Sequence, residues 1–194
     1  MAGTRNLVEL FGHSPDDIAS KTRKLWTLGA CPFTFQPCIK HNHDQTIVYG
    51  TCSVTSPFGD VVICPNRLYA NNYKSIKNVA KDAFGEIQFL FYDEFIKSNS
   101  DNIECAVALG ANSGKEVKIG RSLSMDWVLA RIKNNKLIEY VGIEVQSIDI
   151  TGNYRDAWHA YKNYGSNSTN IPSSEHGLNW ANVHKRLIPQ IIRK

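Results

Sequence analysis

The sequence has no apolar run long enough to cross a membrane, and the segment after Met1 lacks the apolar core of a signal peptide. We therefore expect no membrane contact and a cytoplasmic protein. It also has no internal repeat and no low-complexity segment, which argues against a solenoid or an extended disordered tail. The formal net charge is only +4 over 194 residues. This small excess permits a polyanionic partner without requiring one.

Cysteine is scarce, but it is unevenly placed. Four of the five cysteines, Cys31, Cys38, Cys52 and Cys64, lie in the first third of the chain, whereas Cys105 stands apart. Disulfides are rare in the cytoplasm, so a cluster of this kind favours a metal ion, and four thiolates suit zinc or iron. The cluster has no Cys-x-x-Cys pair, because six, thirteen and eleven residues separate successive members. We interpret Cys105 as a small core residue.

The order of the expected elements predicts an α/β fold. A first helix should begin at Ser14, with Asp16 and Asp17 in its first turn, and end at Gly29. A proline-rich segment with short apolar pairs follows and predicts a small β-rich element. Then come a helix, several strands, a helix, a polar loop and a terminal helix. We expect residues 1–65 to form an N-terminal helix with a metal-binding element and residues 66–194 to form the main core, both within one compact unit.

Two polar residues occupy an apolar segment that reads as a strand, "VGIEVQSIDI", Val141–Ile150. Glu144 and Gln146 should face the same way, because side chains alternate along a strand. Asp126 begins the preceding strand, and a turn at 134–135 should make the two strands antiparallel neighbours. Two carboxylates and an amide suit Mg²⁺, which prefers oxygen ligands. The alternative is that Glu144 lies on a solvated face at the edge of a sheet.

The magnesium hypothesis constrains the hairpin. A regular two-residue turn would pair Asp126 with Ile143 and place Asp126 and Glu144 on opposite faces. We therefore predict a three-residue loop, or a bulge between Trp127 and Ile143.

Basic residues follow the acidic strand. On their own, such residues are usually solvated parts of helices. Next to a metal-dependent site they would hold phosphates or read base edges of double-stranded DNA. The candidate DNA contacts are Arg155, Lys162, His176, Lys185 and Arg186.

Several motifs in a fixed order resemble one enzyme family. They are "CPFTFQPC", "SMDWVLARI", "GIEVQSIDITGNYRDAW" and "GLNWANVHKRLIPQII". Together they resemble the NotI family of type II restriction endonucleases, which belongs to the PD-(D/E)xK nuclease superfamily. The resemblance extends from about Cys31 to the C-terminus. It implies a mixed central sheet flanked by helices, with a small N-terminal four-cysteine metal-bound element.

The resemblance also implies roles for individual residues. The catalytic pattern of the family, an Asp on one strand and Glu-x-Gln on the next, falls on Asp126, Glu144 and Gln146. Because Gln146 stands where the superfamily usually has Lys, it can orient a water molecule but cannot act as a strong base. The bound Mg²⁺ must then supply most of the acidification of that water.

Two further expectations depend on the resemblance. An upstream acid should complete the catalytic site, and Glu116 is the first candidate, ahead of Glu86 and Glu104. The four cysteines should hold a structural iron ion, although the sequence does not separate iron from zinc. His41 and His43 are competing ligands by their chemistry, but we interpret them as loop residues.

The resulting expectation is a Mg²⁺-dependent type II site-specific deoxyribonuclease that cuts double-stranded DNA as a homodimer. One alternative is a structure-specific or repair DNA nuclease with the same fold. Another is a non-catalytic, metal-stabilised DNA-binding module, in which Asp126 and Glu144 would be dispensable.

Overall fold

Short apolar runs, separated by turns at Gly, Pro and Asn, produce a mixed α/β architecture. The structure is a computed structural model. Among the residues that it describes, no helix is both long enough and apolar enough to span a membrane. The described residues are 6–98, 104–110, 117–119, 123–163 and 171–193.

The secondary-structure elements are numbered here in chain order. The strands are β1 (Leu7–Leu10), β2 (Thr51–Ser56), β3 (Gly59–Val62), β4 (Gln88–Phe91), β5 (Glu104–Leu109), β6 (Val117–Ile119), β7 (Leu123–Met125), β8 (Trp127–Lys133), β9 (Lys136–Ile143), β10 (Ile150–Asn153) and β11 (Glu175–Leu178). The helices are α1 (Ser20–Leu28), α2 (Ala70–Phe84), α3 (Tyr92–Lys97), α4 (Arg155–Lys162) and α5 (Trp180–Arg193), with a 3₁₀ turn at Pro65–Tyr69.

The chain divides into two units. The first unit contains Met1–Ala70 and Gln146–Pro189, and the second contains Asn71–Val145 and Gln190–Lys194. This division differs from the expected consecutive segments, because α4 and its neighbours share a hydrophobic core with the N-terminal segment.

The first unit is built around a three-stranded antiparallel sheet in the order β1-β2-β3 and a two-stranded ribbon of β10 and β11. Its core contains the buried residues Leu10, Phe11, Val54 and Trp158. The indole Nε1 of Trp158 donates a hydrogen bond to the carbonyl O of Tyr49 at 2.8 Å. This bond ties α4 to the cysteine-rich segment 31–64, although more than one hundred residues separate the partners in sequence.

Helix α1 begins later than the sequence predicted, at Ser20. The carboxylate of Asp17 accepts hydrogen bonds from the backbone N of Ala19 at 2.9 Å and from the hydroxyl of Thr22 at 2.7 Å. Asp17 therefore acts from before the helix and not within its first turn. The predicted end at Gly29 is confirmed, since Gly29 takes the left-handed conformation with φ 60°.

The second unit contains a mixed four-stranded sheet in the order β4-β5-β8-β9. Strands β4 and β5 are parallel, and the other two pairs are antiparallel. Four consecutive residues are buried in each of the two central strands, whereas most of the edge strand β9 is exposed. This pattern places the core of the unit around β5 and β8, with Cys105 and Trp127 each only 1% exposed. The interpretation of Cys105 as a core residue is confirmed.

Candidate functional site

The hairpin of β8 and β9 is irregular. A two-residue turn at 134–135 joins the strands, and both of its asparagines have positive φ, 50° and 57°. The pairing shifts between Arg131 and Ile132, where Ile138 is the extra residue on β9. The predicted bulge between the acid-bearing ends of the hairpin is therefore confirmed.

The bulge changes which residues face each other at the open end of the hairpin. Trp127 pairs with Ile143, the last pair of the ladder; Asp126 directly precedes Trp127 and Glu144 directly follows Ile143, so the register continued by one position would set the two acids opposite each other. A regular hairpin would have set Asp126 opposite Ile143. Both acids are half-buried. They therefore flank the same matched pair of strand residues, Asp126 before Trp127 and Glu144 after Ile143, as a shared ion requires.

The strand predicted over 141–150 is wrong beyond Ile143, because β9 ends there and the segment 144–149 is not a strand. At this point the backbone N of Val145 donates a hydrogen bond to Asp126 Oδ2 at 2.7 Å. If β9 continued, this N–H would bond a backbone carbonyl of β8. Here it bonds a side-chain carboxylate. Glu144 lies at the end of a strand and not inside one.

Two glycines allow close packing around Asp126. A Cβ atom on Gly110, at the end of β5, would collide with the carbonyl O of Asp126, and Gly110 also has a positive φ of 113°. A Cβ atom on Gly142 would collide with the sulfur of Met125. Sequence reasoning missed both positions, because the contacts join different strands. Gly110 and Gly142 set how closely the neighbouring strands approach the acid.

Gln146 is half-buried and belongs to the first unit. Its side-chain Nε2 donates a hydrogen bond to the carbonyl O of Ser147 at 2.9 Å. The amide NH₂ group is thus held by the backbone of the next residue. The amide oxygen, Oε1, is the atom that can accept a hydrogen bond from water.

Glu104 does not complete the site. It forms ion pairs with Arg131 and, at 2.8 Å, with Lys133. Hydrogen bonds from Lys133 and Arg131 lower the pKa of its carboxyl group. Glu104 pairs with Lys133, which lies seven residues along the strand from Asp126, a separation of about 23 Å at ~3.3 Å per residue. A shared ion is impossible over that distance.

The other two candidate acids have different outcomes. Glu86 is exposed, forms an ion pair with Lys81 and precedes β4 at the same end of the sheet as Glu104. Glu116 lies outside the described residues. The residue that follows it, Val117, pairs with Met125, the residue before Asp126.

The second candidate site is the cysteine-rich segment of the first unit. All four of its cysteines are buried free thiols. The side-chain Nδ2 of Asn66 lies 3.9 Å from Cys31 Sγ, and the backbone N of Lys40 donates to Cys38 Sγ at 3.5 Å. Burial is the main cause of a raised pKa at Cys38, and Cys31 and Cys64 are close enough to raise it further.

Cys52 and Cys64 interact with each other. The thiol of Cys52 donates a hydrogen bond to the carbonyl O of Gly50 at 3.4 Å, and the interaction with Cys64 raises the pKa of Cys52 and lowers that of Cys64. The backbone N of Arg67 donates to the carbonyl O of Cys64 at 3.1 Å; the backbones of Asn66 and Arg67 also lower the pKa of Cys64, and that of Gly12 acts against the rise at Cys52. N–H groups thus lie near the four sulfurs, but burial and the neighbouring thiols still raise the pKa of Cys38 and Cys52, and only the pKa of Cys64 is lowered. Asn66 was missed as a supporting residue, although the turn sequence "CPNR" pointed to it.

The four thiols fit a soft metal ion in their donor chemistry. Electrostatic contact joins Cys38 to the other three, so they share one buried region. Across the residues that the structure describes, however, no three or more Cys, His, Asp or Glu side chains form a group arranged to hold an ion. The predicted four-cysteine ligand set is thus not shown. His41 and His43 are exposed loop residues, as expected.

The candidate DNA contacts are not equivalent. Arg155, Lys162 and Lys185 are exposed, and the side chain of Arg186 lies outside the described part of the chain. His176 is only 1% exposed, with one ring nitrogen 2.6 Å from Ser174 Oγ and the other 2.9 Å from the carbonyl O of Thr55. A buried histidine with both nitrogens engaged does not fit the predicted contact with DNA. Its position indicates a structural role.

No protein-family model and no curated protein sequence matches this chain.

Proposed function

We propose that this protein is a Mg²⁺-dependent endonuclease of the type II restriction class, similar to the NotI family, which cuts double-stranded DNA at a specific sequence. In this proposal it has a PD-(D/E)xK fold, acts in the cytoplasm and works as a homodimer, so that two sites address two strands. One observation carries the proposal. The bulge at Ile138 pairs Trp127 with Ile143, so that Asp126 and Glu144 flank the same last pair of the ladder in a hairpin whose simplest form would separate them.

The residues around the acids suit the proposed reaction. Asp126 and Glu144 would hold the ion, and Glu116 is the proposed third acid, since it precedes a residue that pairs beside Asp126. Bound Mg²⁺ supplies a polarised phosphoryl oxygen and an activated water. Gln146 orients that water through its amide oxygen. The N–H of Val145 fixes one oxygen of Asp126 and leaves the other available to the ion.

The four-cysteine segment has a structural role in this proposal. Cys31, Cys38, Cys52 and Cys64 would hold iron or zinc as thiolates, supported by their N–H donors. This ion would stabilise the first unit and take no part in cleavage.

The proposal is tested by incubating the purified protein with a mixed pool of duplex DNA in Mg²⁺ or in EDTA and sequencing the new ends. We expect ends at one palindromic sequence, in Mg²⁺ only. Ends that follow DNA structure and not sequence would instead indicate a repair-type nuclease.

Variants assign the reaction to the acids. Asp126→Asn and Glu144→Ala should each reduce cleavage by at least about a thousandfold, because each removes a ligand of the ion. DNA binding should remain, since neither residue is a proposed phosphate contact. Asp82→Asn is the matched control, because Asp82 is an exposed acid on α2. Retained Mg²⁺-dependent cutting by either variant would refute the assignment, and Mg²⁺-independent binding without any cutting would favour a non-catalytic module.

A further inference from the structure

An apolar pocket lies on one face of the four-stranded sheet in the second unit. Its volume is about 450 Å³, within the range of small-ligand sites. The lining residues come from α3, β5, β6, β8 and β9, all of which belong to this one unit. The proposed cleavage reaction gives them no role, so the pocket needs an explanation of its own.

Strand register forms the floor of the pocket. Ala130 of β8 pairs with Val107 of β5 on one side and with Tyr140 of β9 on the other. Paired residues on neighbouring strands point to the same face, so these three side chains form one row across the sheet. Val128 and Ile132 line the same pocket, two positions to either side of Ala130, as alternation along β8 requires. Because Ala130 has the smallest side chain of its row, the centre of this face is hollow.

Helix α3 and the edge strand β9 form opposite walls. The helix packs against β4 and β5, and Tyr92 and Phe95 line the pocket from it, since residues three apart lie on one face of a helix. Leu137 and Tyr140 line the pocket from β9. Tyr92, Leu137 and Tyr140 are all exposed. A molecule bound between these walls would therefore cover apolar surface that meets water in the free protein.

The lining carries a single charge at one end. Among the lining residues that the structure describes, Lys118 alone is charged, and it is exposed. Lys118 follows Val117 on β6, and Val117 pairs with Met125, the residue before Asp126. The cation therefore lies at the end of the pocket that is nearer to Asp126, whereas Leu137 lies at the end nearer to the hairpin turn.

This arrangement matches the chemistry of a small amphiphile. An apolar chain needs no hydrogen bonds, so the apolar lining can bury it without cost to polar groups. A nucleotide base or a sugar would leave polar atoms without partners against the same lining. One anionic group on the ligand complements the one lysine, with a charge-assisted hydrogen bond between them.

We propose that this pocket binds a small amphiphile, with its apolar part over Ala130 and its single anionic group at Lys118. The inference goes beyond the proposed function and does not rest on it, because it requires neither DNA nor a divalent ion.

The test measures binding of decanoate, and of the uncharged decanol, to the full chain by titration calorimetry at concentrations below micelle formation. The parent protein should bind both probes at one site. Lys118→Gln should weaken binding of decanoate about three- to fivefold, since an exposed ion pair contributes little, and leave binding of decanol unchanged. Lys136→Gln is the matched control. Lys136 is an exposed lysine next to Leu137 on β9, so it points to the other face of the sheet and should leave both affinities unchanged.

Two further variants test the apolar part of the pocket. Ala130→Leu fills the hollow and should weaken binding of both probes at least about tenfold, with circular dichroism reporting whether the added bulk is tolerated. Tyr140→Ser removes part of one wall at an exposed position of the edge strand, where the fold does not depend on the side chain. It should weaken binding of both probes about three- to tenfold, because apolar contact is lost.

Four results would overturn the inference in whole or in part. The first is the absence of saturable binding of either probe by the parent protein. The second is unchanged binding in Tyr140→Ser and in folded Ala130→Leu, since the probes would then bind elsewhere. Equal weakening of both probes in Lys118→Gln would overturn the position assigned to the anionic group. A parent dimer that binds neither probe and dissociates in Tyr140→Ser would identify a second copy of the chain as the occupant.

Discussion

In the first unit, N–H groups of turns and loops lie near the cysteine sulfurs, whereas in the second unit the positions of Asp126 and Glu144 follow from the pairing of two strands. The cysteines are spread over thirty-four positions, 31–64, and depend on many local bonds. The acids depend on the register of β8 against β9, in which Ile138 takes up the one extra residue. The comparison shows two ways to assemble polar groups: local backbone donors tolerate irregular spacing, but strand register does not, because a shift of one residue exchanges the faces.

Replacing cysteines gives the largest expected effect on stability. Cys52→Ala should release the bound metal and lower the melting temperature by about 10 °C or more, because binding of a structural ion contributes directly to folding. Cys105→Ala is the matched control in the second unit, where burial alone raises the pKa of the thiol. It should keep the metal and lower the melting temperature by only about 2–4 °C. Elemental analysis and thermal unfolding measure both effects.

Equal metal content in the two variants would break this comparison, as would well-folded parent protein that contains neither iron nor zinc. In either case the N–H donors around the four sulfurs would serve the packing of the first unit and not an ion.

An intermediate effect on cleavage is expected at Gln146, which lies two residues after Glu144. Gln146→Lys adds a charge where the site has a neutral amide, and we expect cleavage to fall about tenfold with folding intact. Gln88→Lys, an exposed position on β4, controls for the added charge. Cleavage rates over a range of Mg²⁺ concentrations measure the effect. Full activity at unchanged Mg²⁺ demand would show that the neutral amide has no special role.

Much of the second unit could be predicted from sequence. The apolar runs that form β4, β5, β8 and β9 are bounded by turn residues. The two asparagines at 134–135 predict the hairpin. The need for a bulge followed from the chemistry of two acids that must face the same side. Its location at Ile138 did not, because an extra residue can be accommodated at several points of a strand.

Two of the errors share one physical cause, and a third has another. Asp17 was predicted inside the first turn of α1 but precedes the helix, and the segment after Ile143 was predicted as a strand. In both places a side-chain carboxylate accepts a hydrogen bond from a backbone N–H, and regular structure is absent there. His176 was predicted to contact DNA, yet it is buried, and its partner Thr55 is 121 residues away in sequence. Contacts of that kind leave no local signal.

The smallest effect is expected when the bulge is removed by deleting Ile138. The remaining residues can pair regularly around the same turn, with Arg131 still opposite Glu139 and therefore Asp126 still opposite Glu144. Ile138 is 51% exposed, so little burial is lost. Cleavage should stay within about threefold of the parent, measured on the same DNA, because the metal ligands are unchanged.

Deleting Ile138 and Val141 together is the matched control. In a regular hairpin it shifts Glu144 into the position opposite Trp127 and should abolish cleavage, with circular dichroism reporting that both deletion proteins are folded. Loss of cleavage in a folded Ile138 deletion would contradict the role assigned to register.

The central claim is that Asp126 and Glu144 share one divalent ion, and Mn²⁺ binding followed by electron paramagnetic resonance tests it without any need for DNA cleavage. Mn²⁺ accepts the same oxygen ligands as Mg²⁺. The account predicts a bound Mn²⁺ ion in the parent protein and in Asp82→Asn, with affinity lowered at least about tenfold in Asp126→Asn and in Glu144→Gln. Equal Mn²⁺ affinity in all four proteins, or no bound Mn²⁺ in the parent, would contradict it.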